Sequence, residues 1–97
     1  MAKTRLGRPT REILALNIQV ARTVTGWSQE KLGLQCGLKR TYIGALERRE
    51  INLGIDNLDK IAAGLGLASH VLIQDSDEAY PLIHQSLKRR NHLRRAR

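Results

Sequence analysis

The sequence predicts an all-α protein, five compactly packed helices followed by a basic C-terminal helix or tail. Three observations carry that expectation. Apolar residues recur at three- and four-residue steps in several separate runs, and no run alternates as a half-buried strand would. Glycines at positions 26, 37, 64 and 66 stand where those runs end, as helix-terminating residues do. With no Phe, one Trp and two Tyr in 97 residues, the core must be built from Leu, Ile, Val and Ala. A chain of this length forms one small domain with a modest core, not a deep enzyme cleft.

Residues 1–9 lack apolar periodicity and end in Gly7-Arg8-Pro9, which predicts a flexible basic arm. The first helix is expected to start after Thr10, an N-cap residue, and to run to about Thr25 with Ile13, Leu14, Asn17, Ile18, Ala21 and Val24 on one stripe. Gly26 ends it. The second helix begins at Ser28, whose hydroxyl can accept from a first-turn backbone N–H. Glu30 suits the positive end of that helix, and Trp27 with Leu32 forms a hydrophobic-staple pair. It runs to about Gln35, and Gly37 supplies the turn. The third helix runs from about Arg40 to Arg48, with Ile43 and Leu46 inward. A loop over 49–54 leads to a fourth helix over about 55–64, carrying Ile55, Leu58, Ile61, Ala62 and Leu65 on one face. A short fifth helix is expected over 69–74, then a polar break at Asp75-Ser76-Asp77-Glu78. Pro81 is placed in the first turn of a last helix over about 79–93. These elements divide the chain into an arm (1–9), a helical domain (10–74) and a basic C-terminal helix or tail (75–97).

The net charge of +8 is uneven. Residues 1–11 carry four basic side chains and no acid, residues 88–97 carry six and no acid, and residues 12–87 carry seven basic against nine acidic. Short basic ends suit a polyanion, most often nucleic acid. The apolar stretches fall far short of the roughly 20 residues that span a bilayer, so no membrane association is predicted. A single cysteine, with no internal disulfide available, agrees with a reducing cytoplasm. His70, His84 and His92 have no cysteine or histidine at ligand spacing, and Ser28 has no His–Asp arrangement nearby. The sequence therefore predicts no metal, no cofactor and no enzyme.

Two helices joined by a short turn containing Gly are the sequence form of a helix-turn-helix. Leu32, Gly33, Cys36-Gly37-Leu38, Ile43 and Leu46 supply a buried residue, a small residue, an apolar–Gly–apolar turn and two buried positions in the second helix. Flanked by Trp27-Ser28-Gln29-Glu30 and Leu46-Glu47-Arg48, this segment resembles the helix-turn-helix of the phage-repressor-like, xenobiotic-response-element type regulators. Gly33 stands where that family usually has alanine. The resemblance extends over about residues 12–74, and Arg40-Thr41-Tyr42-Ile43 is most similar to small controller proteins of restriction–modification systems. Arg49-Glu50-Ile51 departs from the usual polar, glycine-bearing loop, and Glu50 would face phosphates awkwardly.

The resemblance implies a repressor-like, sequence-specific DNA-binding regulator of transcription. A recognition helix presents its N-terminal side chains to base edges in the major groove. That places Lys39, Arg40 and Thr41 at bases, with Arg40 able to pair bidentately with guanine, and Gly44 on the same exposed side, where a small residue permits close approach. Gln29, Tyr42, Arg48, Arg49 and Asn52 are expected at phosphates. Within the family, Arg22 and Glu47 match positions that form an ion pair. One such helix reads only a few base pairs, so a homodimer on a palindromic operator in double-stranded DNA is expected. Its interface is placed at Leu65, Leu67, Val71, Leu72 and Ile73, which exceed what a small domain needs inside. The alternative is an antitoxin that autoregulates and binds a toxin protein through the tail from Tyr80 onward.

Overall fold

Six helices follow one another in the computed structural model, which describes the backbone of residues 7–95 and the side chains of residues 7–87. They are α1 (Thr10–Thr25), α2 (Gln29–Cys36), α3 (Arg40–Glu47), α4 (Ile55–Leu65), α5 (Ser69–Leu72) and α6 (Ser76–Arg95), and no strand occurs among the described residues. Residues 1–6 of the expected arm, and the side chains of the basic run 88–97, lie outside the described residues.

The core is aliphatic, as the composition requires. Ile18, Leu32, Ile43, Leu46, Ile61, Leu65, Leu72, Ile83 and Leu87 are almost wholly buried and come from every helix. Burying a side chain of this size is worth about 1.5–3 kcal/mol, so these residues dominate the stabilisation of the domain. Close helix contact depends on small residues. A Cβ at Gly64 would lie 2.6 Å from the Cys36 sulfur and 3.2 Å from the Gln35 carbonyl oxygen, so glycine lets α4 rest on the end of α2. Gly64 is thus a packing residue inside α4. The helix runs one residue past it, and Gly66 ends the element with φ 77°.

The N-terminus of α1 differs from expectation. The helix includes Thr10, whose side chain makes no cap, and the Pro9 carbonyl accepts from the Glu12 and Ile13 amides at 3.0 and 3.1 Å. At the other end of the chain, the polar segment read as a break is the start of α6. Asp75 caps it, accepting the Asp77 amide on Oδ1 at 3.0 Å and the Glu78 and Ala79 amides on its carbonyl at 2.9 Å. Asp77 and Glu78 then sit in the first turn, where the helix dipole favours carboxylates. Pro81 therefore lies inside the helix and not in its first turn.

This longer α6 changes two expectations. Ala79, Ile83 and Leu87 are buried against the rest of the core, and α6 lies along α1. The boundary drawn at residue 75 is thus not a packing boundary. The supposed excess of apolar residues is also consumed: Leu65 and Leu72 are fully buried, and Leu67 and Val71 are 9% exposed. They are core residues of the single chain, and of the five placed at a dimer surface only Ile73, 46% exposed, remains on the outside.

Candidate nucleic-acid interface

The α2–turn–α3 unit is set by local chemistry. Ser28 Oγ accepts the Lys31 amide at 3.0 Å and starts α2. Gly37 takes φ 75°, a left-handed conformation that costs glycine little, and the Leu38 amide bonds back to the Gly33 carbonyl at 2.9 Å. A Cβ at Gly33 would stand 2.5 Å from the Leu38 carbonyl oxygen, so the turn rests directly on that glycine. Leu32 and Cys36 of α2, with Ile43 and Leu46 of α3, fix both helices to the core.

A second set of bonds holds α3 from behind. The Glu47 carboxylate, whose side chain is 5% exposed, accepts from Arg22 Nε at 2.7 Å and Arg22 Nη2 at 3.0 Å. Gln29 Nε2 donates to the same carboxylate at 3.0 Å, and Arg22 Nη1 donates to the Trp27 carbonyl at 3.0 Å. The hydrogen bond to Glu47 raises the Arg22 pKa above its ordinary value, against the opposing effect of burial. The expected Arg22–Glu47 pair is present, and it joins α1, the start of α2 and the end of α3.

What this frame presents outward begins with Lys39, Arg40 and Thr41, all exposed at the start of α3. Gly44 is not on the exposed side. It is buried, because the Arg48 guanidinium and Gln29 Oε1 cover it: a Cβ there would meet Arg48 Nη1 at 3.1 Å and Gln29 Oε1 at 3.4 Å. Tyr42 is half-buried and its hydroxyl accepts from Asn57 Nδ2 at 3.0 Å, tying α3 to the first turn of α4. Gln29 is half-buried through its bond to Glu47. Arg49 and Asn52 are exposed, and Asn52 Oδ1 accepts from Arg11 of α1. Arg48 is exposed and donates from Nε to Glu50 at 3.0 Å, which raises its pKa.

The expected contact residues Lys39, Arg40, Thr41, Arg48, Arg49 and Asn52 are exposed, and the sequence did not reveal the partners that position some of the expected residues: Arg11 at Asn52, Asn57 at Tyr42, and Glu50 at Arg48. Glu50 carried a signal, an acid directly after the two arginines that follow α3. Among the described residues no cluster of His, Cys, Asp or Glu could hold a metal ion, and no helix is long and apolar enough to cross a membrane.

A family model described as helix-turn-helix matches residues 21–72, more than half of the chain. The chain belongs to this helix-turn-helix family. This helix-turn-helix protein is 43% identical over 76 residues to a hypothetical transcription factor of Neisseria meningitidis serogroup B, covering 78% of this chain and 72% of that one. The crystal structure of the hypothetical transcription factor NHTF from Neisseria matches with a TM-score of 0.71 at 43% identity, over 76% of this chain and 85% of that one. The restriction–modification controller protein C.AhdI from Aeromonas hydrophila matches with a TM-score of 0.62 at 32% identity, over 64% of this chain and 94% of that one. The residues that the family model matches, 21–72, include the whole α2–turn–α3 unit described above.

Proposed function

We propose that this helix-turn-helix DNA-binding regulator acts as a cytoplasmic homodimer on a palindromic operator, in the manner of a restriction–modification controller. One observation carries the reading. Lys39, Arg40 and Thr41 stand exposed at the N-terminal end of a helix whose inner face is pinned by Arg22, Gln29 and Glu47. A rigid helix with a guanidinium and a hydroxyl at its leading end suits base-edge readout in a major groove. Gln29, Arg49 and Asn52 flank it at positions suited to phosphates. The likeness to C.AhdI supports the controller assignment. Symmetry follows from economy of readout, since one short helix discriminates too few base pairs to act alone.

The test uses the full-length chain and DNA enriched from a random pool. A two-fold symmetric site with half-site centres about 34 Å apart, one turn of B-DNA, is expected. Arg40→Ala should cost about 1–3 kcal/mol per half-site on that DNA and less on a scrambled duplex. An asymmetric single site, or an equal loss on both duplexes, would remove the reading. The antitoxin alternative needs a segment from Tyr80 onward free to fold on a toxin, but Ile83 and Leu87 already fill this chain's own core.

A further inference from the structure

Glu50 is the residue that a phosphate-facing loop does not explain. It lies three residues beyond the end of α3, where an acid would repel a DNA backbone. The structure shows what it does in the free protein. Its carboxylate takes the Arg48 Nε at 3.0 Å, with both side chains more than half exposed. Meanwhile Arg48 Nη1 lies 3.1 Å from the point where a Cβ of Gly44 would be. The Arg48 side chain therefore does not extend away from the end of α3. It folds back along the helix to the level of Gly44, one turn from Arg40. Glycine at 44 lets the guanidinium lie against the helix backbone without being displaced by a Cβ.

We propose that Arg48 is a second base reader beside Arg40, and that Glu50 is its positioning residue. Held at Nε by Glu50 and resting on the bare backbone at Gly44, the guanidinium keeps its terminal nitrogens for a planar acceptor pair. That is the arrangement that recognises the O6 and N7 of guanine. A carboxylate beside a base-reading arginine is tolerated where one beside a phosphate contact is not. In the groove it faces base-edge donors and its own partner, not the backbone charge. The inference replaces the phosphate role expected for Arg48, and it rests on the proposed docking of α3 in a major groove.

The experiment compares wild type, Arg48→Ala, Glu50→Gln and the double variant, all full-length. Each is titrated against the duplex that wild type enriches and a scrambled copy of it, with circular dichroism confirming an unchanged helical fold. Arg48→Ala should weaken the enriched duplex roughly tenfold or more per half-site, with a clearly smaller loss on the scrambled one. Glu50→Gln should cut the ratio of the two affinities by roughly threefold, and that cut should vanish in the Arg48→Ala background. Equal losses on both duplexes for Arg48→Ala would make it a phosphate contact and overturn the proposal. An unchanged ratio in Glu50→Gln, or the same cut with and without Arg48, would overturn the role of Glu50. Failure of wild type to enrich any sequence is a different result, which removes the proposed function itself.

Discussion

The buried carboxamide of Asn17 accepts a hydrogen bond at 2.9 Å from the hydroxyl of Ser76, joining the middle of α1 to the first residue of α6. Its Nδ2 donates to the Leu72 and Gln74 carbonyls at 2.9 and 2.8 Å. One fully buried amide thus satisfies the end of α5, the link that follows and the start of α6. Asn17→Ala should destabilise the domain by about 2–4 kcal/mol, because it leaves buried carbonyls without donors as well as opening a cavity. Ser76→Ala should cost about 1 kcal/mol. Urea denaturation measures both, and a loss for Asn17→Ala below that for Ser76→Ala would show that the network is not a stabilising one.

Glu47→Gln should lower stability by about 1–3 kcal/mol, since Arg22 is only partly exposed and would keep its charge without a full partner. Because the same carboxylate holds Gln29, α3 should loosen against α2, and affinity for the enriched operator should fall as well. Replacing both Arg22 and Glu47 by apolar residues of similar size should restore most of the stability. A double variant as unstable as Glu47→Gln would contradict this account.

Arg49 adopts φ 65°, and the Glu50 amide bonds back to the Ala45 carbonyl at 2.9 Å. This is the position after a helix where glycine is usual, because a Cβ in the left-handed region costs roughly 1 kcal/mol. Arg49→Gly should therefore raise stability by up to about 1 kcal/mol in thermal or urea unfolding, while removing a cation from the proposed DNA face. A destabilised variant would show that the arginine side chain itself holds the turn.

Ile73, still 46% exposed, is the apolar side chain at the end of α5 on which the proposed dimer can be tested. Ile73→Glu should leave the monomer folded and shift sedimentation towards single chains. Leu72→Glu would instead unfold the protein, because Leu72 is fully buried. A dimer unaffected by Ile73→Glu would place the interface on another surface.

Burial pushes the Cys36 thiol from 9.0 up to about 11. Between those values the unfolded chain ionises its thiol and the folded chain does not, so the unfolded state binds fewer protons. The stability that burial of the neutral thiol contributes is complete below about pH 9 and is lost as pH rises through the interval. Urea midpoints should fall across that range, and Cys36→Ala should flatten the fall. An equal fall in the variant would assign it to other groups.

The α2–turn–α3 unit was legible from residues 28–46 because each signal there is local. Ser28 caps its own helix, Gly37 turns its own chain, and the buried positions repeat at helical spacing. The resemblance added the Arg22–Glu47 pair, which spacing alone would not have found. The surroundings of the residues proposed to face a groove were legible less completely. Gly44 looked exposed because it is small and lies one turn past Arg40, whereas Gln29 of α2 and Arg48 at the end of α3 cover it.

The sequence by itself determined the helical class, the aliphatic core and the place of the helix-turn-helix, since these follow from period, composition and capping chemistry within a few residues. Only the tertiary structure decided which apolar residues remain outside. Leu65, Leu67, Val71 and Leu72 read as surplus until α6 is laid along α1, where Ala79, Ile83 and Leu87 complete the core. Only the tertiary structure, likewise, made Asn17 a junction between α1, the end of α5 and the start of α6. The physical reason is common to all of these. Burial and hydrogen bonding are properties of surfaces brought together from distant parts of the chain, and a periodic pattern states which face is apolar without stating what will cover it.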